Sequence, residues 1–213
     1  CHLFVLVRES WIVAQLGARE HYVIPRTLYE RGQLSALLTD AWVPPHHLLN
    51  QIPLDALRPL QERYHDSLAD APVHAHTWSL LWFEIQARLR GRTGWTRMMK
   101  RNQWFERKIC ADVMRHDLLA PSPVVFAYSY AAHDLFVEAK KHGAFCVLGQ
   151  IDAGPHEADL VDEEHERYPA YGHAQVRAPA SYWNRWRREC ALADDIVVNS
   201  AWSKKALAKA GIA

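Results

Sequence analysis

Gln150, Asp152, His156 and Glu157 fall within eight residues, directly after the apolar run 144–148 and among Gly149, Gly154 and Pro155. A carboxylate, an imidazole and an amide so close together can move a proton and hold a hydroxyl. The imidazole titrates near neutrality, and the carboxylate fixes either that imidazole or a substrate hydroxyl in place. Residues 144–148 carry aromatic and β-branched members without polar interruption, as a strand covered on both faces does. The polar quartet therefore stands at the carboxyl end of a buried strand, where open α/β sheets bind ligands. Gly154 and Pro155 shape a turn that can aim Asp152 and His156 at one spot. The same spacing also suits a plain strand-to-helix connection in which Asp152 caps and Pro155 starts a helix.

The elements that must position these residues follow from the chain in order. Ser10–Gly17 reads as a strand, the stretch from Ala18 to Gly32 as a helix despite Pro25, and QLSALLTD as a second strand, the start of a Rossmann-like half. The loop Gly17, Ala18, Arg19 to His21 lies where a helix start offers N–H groups to an anion. It lacks the second and third glycines of a dinucleotide fingerprint, which disfavours an NAD site. Pro44, Pro45, Pro53 and Pro59 break the segment 41–72 into short pieces, an insertion or lid. Helices are expected over Thr77–Leu89 and from Trp95 to His116. PSPVVFAYS then gives a strand with Ser129 and Tyr130 at its carboxyl end, beside the Gln150–Glu157 loop if the two strands are neighbours. A helix over Ala180–Leu192, a strand in DDIVVNS and a helix ending at Gly211 complete an α/β chain with a parallel sheet, read as a single domain over 1–213.

Charge is unevenly placed. Between Arg88 and Lys108 there are eight basic residues against one acid, Glu106, interleaved with Trp95, Met98, Met99, Trp104 and Phe105. Such a helix suits an anionic membrane surface, each Lys or Arg adding about 1 kcal/mol, with Trp95, Arg97, Lys100, Arg101 and Trp104 as contacts. It equally suits an amphipathic helix packed on the sheet with its charges merely solvated. The net charge of +1 argues against wholesale nucleic-acid binding. The pairs His46/His47 and His74/His76 lack further ligands at zinc-site spacing, so no metal is expected. Four widely spaced cysteines fit a reducing, cytoplasmic setting. No apolar run approaches the roughly 20 residues of a membrane span, which leaves attachment to the inner face of a membrane as the expected membrane role. Because the chain opens with Cys1, processing or a longer parent chain is expected.

The block SYWNRWRRECALADDIVVNSAWSKKALAKAGIA resembles the end of the N-terminal, acceptor-side domain of the retaining GT-B glycosyltransferases. There a helix with an Arg/Glu pair, an Ala-Asp and a short apolar strand lead to a Ser and a helix that stops at Gly; Arg188, Glu189, Ala193, Asp194, Ile196 to Val198, Ser200 and Gly211 match that order. The start, LGAREHYVIPRTLYERG, looks like the family's Gly-rich loop, with Gly17-Ala18 in place of Gly-Gly. The resemblance implies sugar transfer from a nucleotide-diphosphate sugar to a glycan or lipid-linked acceptor, with no cofactor in this half and with a C-terminal donor-binding domain that has no counterpart in this chain. It puts Asp152 and His156 where the family places a polar residue facing the donor, and adds Ser200 to the substrate-binding set of Gly17, Ala18, Arg19, His21, Ser129, Tyr130, Gln150 and Glu157. Two rivals stand beside it: a non-catalytic binding or scaffold module, and a fragment of a GT-B sugar-nucleotide epimerase.

Overall fold

The computed structural model describes residues 10–53, 55–171 and 176–212; Cys1 and Gly172 lie outside them. Six strands form one parallel sheet: β1 (Trp11–Gln15), β2 (Leu34–Thr39), β3 (Val73–Ala75), β4 (Val124–Tyr128), β5 (Phe145–Gly149) and β6 (Asp195–Val197), in the order β3-β2-β1-β4-β5-β6. This is the doubly wound order, in which the direction of winding reverses between β1 and β4.

Strand periodicity explains why both faces need helices. Ile12 and Ala14 point to one face with Ala36 and Leu38, while Val13 points to the other with Leu37. The first face carries the larger core, closed by α4 (Gly94–Arg115), α5 (His133–Lys141) and α7 (Ala180–Leu192) through Phe105, Ile109, Phe136 and Trp186. The second is covered by α1 (Val23–Glu30) and by Leu68 of a short 3-10 helix. Pro25 is tolerated because it sits in the first turn of α1, where its missing N–H has no partner to lose. The remaining helices are α2 (Arg58–Gln61), α3 (Thr77–Leu89), α6 (Pro155–Arg167) and α8 (Ala201–Lys209).

Thr77–Leu89 and Ala180–Leu192 form over the very residues the apolar spacing marks out. One strand escapes that reading: β3, hidden between the proline-rich segment and α3, pairs Leu37, Leu38 and Thr39 with Val73, His74 and Ala75. His74 is thus an edge-strand residue and not part of a loop. The segment 41–72 holds 3-10 turns at Leu48–Gln51, Asp55–Leu57 and Asp66–Leu68 besides α2, and it ends by delivering Arg63 to the carboxyl ends of the strands. Among the described residues no helix is long and apolar enough to cross a membrane.

Candidate functional site

Where the winding reverses, the strands diverge beyond their carboxyl ends and leave a cleft of about 370 Å³, lined by the ends of β1 and β4, the loop after β5, and side chains from α4 and α7. Its floor is built on Asp40, which follows β2 and is fully buried. Asp40 Oδ1 accepts from the Gly17 N–H at 2.9 Å and from Arg63 Nη1 at 3.0 Å, and Oδ2 accepts from Arg101 Nη2 at 2.6 Å. A buried carboxylate demands such compensation, and here it draws two guanidinium groups, 38 residues apart in sequence, to one spot. Gly17 must be glycine: its φ is +83°, and a Cβ would lie 2.8 Å from Arg63 Nη1. Arg19, the third arginine of the cleft, lies over the Tyr128 ring at 5.5 Å, close enough for a cation–π contact. The loop then runs through three consecutive left-handed residues, Glu20, His21 and Tyr22 (φ 49°, 50° and 61°), before α1 begins.

The opposite wall is a polar network behind an aromatic one. Asp152 Oδ1 accepts from the Tyr130 hydroxyl at 2.5 Å, from the Gly154 N–H at 2.8 Å and from Gln150 Nε2 at 3.2 Å. Gln150 Oε1 in turn accepts from the Trp186 indole at 3.0 Å, which fixes the orientation of the amide. Tyr130 stacks on Tyr182 with ring centroids 4.9 Å apart, and Tyr182 meets Trp95 at 4.8 Å, giving the cleft a side of aromatic faces. Burial, with Asp152 next, holds the Tyr130 phenol well above its ordinary range, so it remains a hydrogen-bond donor at any physiological pH.

Two buried glutamates hold this wall from behind. Glu189 accepts from the N–H groups of Tyr130 and Ala132 at 2.6 and 2.5 Å, which sets the turn that places Tyr130 at φ 75°. Glu106 accepts from Arg185 Nη2 at 2.5 Å, and Arg185 also bridges to Asp134 at 2.8 Å. Desolvation pushes the Glu189 carboxyl up to about 8 and the Glu106 carboxyl up to about 7. Both position the β4–α5 turn and neither touches the cleft space.

Against this geometry we compared the chain with known proteins. No family model, curated protein or solved structure matches it. The site is therefore read from its own residues.

The residues expected from sequence part into two groups. Gly17, Arg19, Ser129, Tyr130 and Asp152 line the cleft. Gln150 stands just behind them, and Ala18, half-buried, leads into the left-handed turn. The others lie elsewhere. His21 is exposed; its N–H donates to the Ala18 carbonyl at 3.1 Å and its carbonyl accepts from Arg26. His156, in the first turn of α6, accepts from Lys209 of α8 at 3.2 Å and is not among the residues that line the cleft. Glu157 reaches back to the Ala153 N–H at 2.9 Å, ahead of α6, and Ser200 accepts from the Ser203 N–H at 3.1 Å as the N-cap of α8. Asp152 itself combines both readings of its loop: it closes the turn onto the Gly154 N–H and it borders the cleft.

The basic helix also divides. Trp104 is buried against Phe83, Arg101 is tied to Asp40, and Arg97 is bonded to Glu84 through Nε at 3.0 Å; Trp95 lines the cleft and donates to the Val176 carbonyl at 2.6 Å. These four are inward-facing or paired groups and not a membrane-facing row, because the lone acid of the stretch, Glu106, is not their only counter-charge: Asp40 and Glu84 approach from other elements. Of the expected contacts Lys100 and Arg97 are exposed, and of these two only Arg97 is in an ion pair among the described residues. Residues that the sequence reading passed over carry much of the site, namely Asp40, Arg63, Asn102, Tyr182 and Arg185. Asn102 donates to the Tyr130 carbonyl at 2.8 Å. Only Glu189 had a visible signal, as a member of the Arg/Glu pair.

Proposed function

We propose that this chain forms the acceptor-side half of a retaining glycosyltransferase of the GT-B architecture, and that its switch-point cleft receives the acceptor sugar. The observation that carries the reading is the pairing of two unlike walls across one cleft: stacked aromatic faces of Tyr130, Tyr182 and Trp95 on one side, and the guanidinium groups of Arg19, Arg63 and Arg101 on the other. A pyranose offers the same duality, with C–H faces that lie on rings and hydroxyls at its rim that bond to fixed donors. Guanidinium groups add affinity for an acceptor bearing phosphate or carboxylate.

In this reading Asp152 is the group that meets the attacking hydroxyl. Its Oδ1 is occupied by three donors, while none of the described hydrogen bonds uses Oδ2. That oxygen is the one free to accept from an acceptor hydroxyl and to orient it. The three donors hold the carboxylate in one orientation, so the group acts by orientation and electrostatics. The nucleotide-sugar donor would be held by a second domain. Among the described residues no group of three or more His, Cys, Asp or Glu is placed to hold a metal ion.

The test is ligand-observed saturation-transfer NMR of the chain with hexoses, hexose phosphates and nucleotide sugars. Transfer to the sugar C–H protons of hexose phosphates, lost in Tyr182→Ala and at least about tenfold weaker in Asp152→Asn, is the expected result. Silence with every sugar, or micromolar binding of a nucleotide sugar through its nucleotide, would overturn the assignment.

A further inference from the structure

Helix α3 is apolar on both sides. Leu80 and Ala87 are buried, Leu80 in the core against the sheet, while Trp78, Trp82, Ile85 and Leu89 follow one another along the outer side at helical spacing and stand open to solvent, Trp82 at 60% and Leu89 at 81%. A continuous exposed apolar strip marks a contact surface. Beside the strip, between α3 and α4, lies a depression of about 440 Å³ where Trp82 and Phe83 meet Arg90, Arg92, Lys100, Arg107 and Lys108. Among the described residues no ion pair engages any of these five cations, whereas Arg97 and Arg101 of the same helix are bound to Glu84 and Asp40.

We propose that this face, the outer strip of α3 with the basic depression beside it, seats on an anionic lipid bilayer. Five uncompensated cations around an apolar strip need a negative partner. A second copy of the chain would bring like charges face to face. Single-stranded nucleic acid would stack its bases on the tryptophans but finds no ring at Ile85 or Leu89, the most exposed member of the strip. A bilayer satisfies every part: aliphatic side chains enter the acyl boundary, tryptophans settle at headgroup level, and Lys and Arg reach the phosphates. This surface is distinct from the cleft. Helix α4 separates the two, turning Arg101, Asn102 and Phe105 to the cleft and Lys100, Arg107 and Lys108 to the depression.

The experiment is co-sedimentation of the full chain with vesicles of phosphatidylcholine alone or mixed with phosphatidylglycerol, at low and high salt. The chain should pellet with the mixed vesicles, and raising the salt should release it. Trp82→Ser with Leu89→Ser, and separately Arg107→Glu with Lys108→Glu, should each weaken binding about tenfold or more with an unchanged circular dichroism spectrum, since all four side chains lie on the surface strip or rim. Equal binding to neutral vesicles would overturn the proposal, as would binding that survives both double substitutions. So would a concentration-dependent dimer in sedimentation velocity that Trp82→Ser abolishes, which would give the strip to a second copy.

Discussion

Replacing Asp40 by asparagine removes the one charge on which the cleft floor is assembled. Asp40 is fully buried, whereas its partners Arg63 and Arg101 are 16% and 32% exposed at the side chain. An asparagine retains one acceptor oxygen, enough for the Gly17 N–H, and turns an amide N–H₂ towards a guanidinium. Two charge-assisted bonds are lost, each worth about 1.5–3 kcal/mol, and partial re-solvation of the two arginines recovers some of that. We expect a net loss of about 3 kcal/mol, which for a chain of this length lowers Tm by about 6–12 °C. Thermal unfolding followed by circular dichroism at low and high salt provides the measurement. The drop should persist at high salt because the carboxylate is out of reach of screening ions. Adding Arg63→Gln to Asp40→Asn should cost less than about 0.5 kcal/mol further, since its partner is already gone. A drop under about 2 °C, or one that vanishes in salt, would show that the arginines are held by solvent and not by Asp40.

Three further outcomes are expected. Glu189 and Glu106 have folded-state pKa values raised to about 8 and about 7, so the folded chain binds their protons more tightly than the unfolded one. Their contribution is complete at about pH 4 and is lost as pH rises through about 7 to 8. Glu189→Gln should therefore flatten the fall of Tm across that window, and parallel profiles for variant and parent would contradict the assignment. Ser200→Ala, which removes the N-cap of α8, should cost about 1 kcal/mol and leave sugar binding by NMR untouched. His156→Ala should change neither Tm beyond about 2 °C nor saturation transfer; a loss of transfer comparable to that of Asp152→Asn would return His156 to the cleft.

How much of this was legible beforehand depended on the range of the interaction. Elements with strong local periodicity, such as Thr77–Leu89 and Ala180–Leu192, could be read from spacing alone, and so could the placement of polar loops at strand ends. Strand β3 could not, since three residues with a histidine at the centre carry no period, and only pairing with β2 makes them a strand. Asp152 showed its position through the buried strand before it, but His156 did not, because its partner Lys209 lies 53 residues further along the chain. The basic helix divides for a similar reason. Asp40 lies 61 residues before Arg101, and nothing in the local composition shows that a buried carboxylate will arrive from a distant strand end to claim that arginine.

The two outer strands of the sheet, β3 and β6, are each three residues long. An incoming strand would find only a few unpaired N–H and C=O groups at either border, too short a template for stable addition of another chain. Among the described residues, backbone addition at either border is thus disfavoured even though the strands β1, β4 and β5 at the centre are rich in apolar residues. Encounters of this molecule with others fall instead to side-chain surfaces, where charge can sort partners by sign.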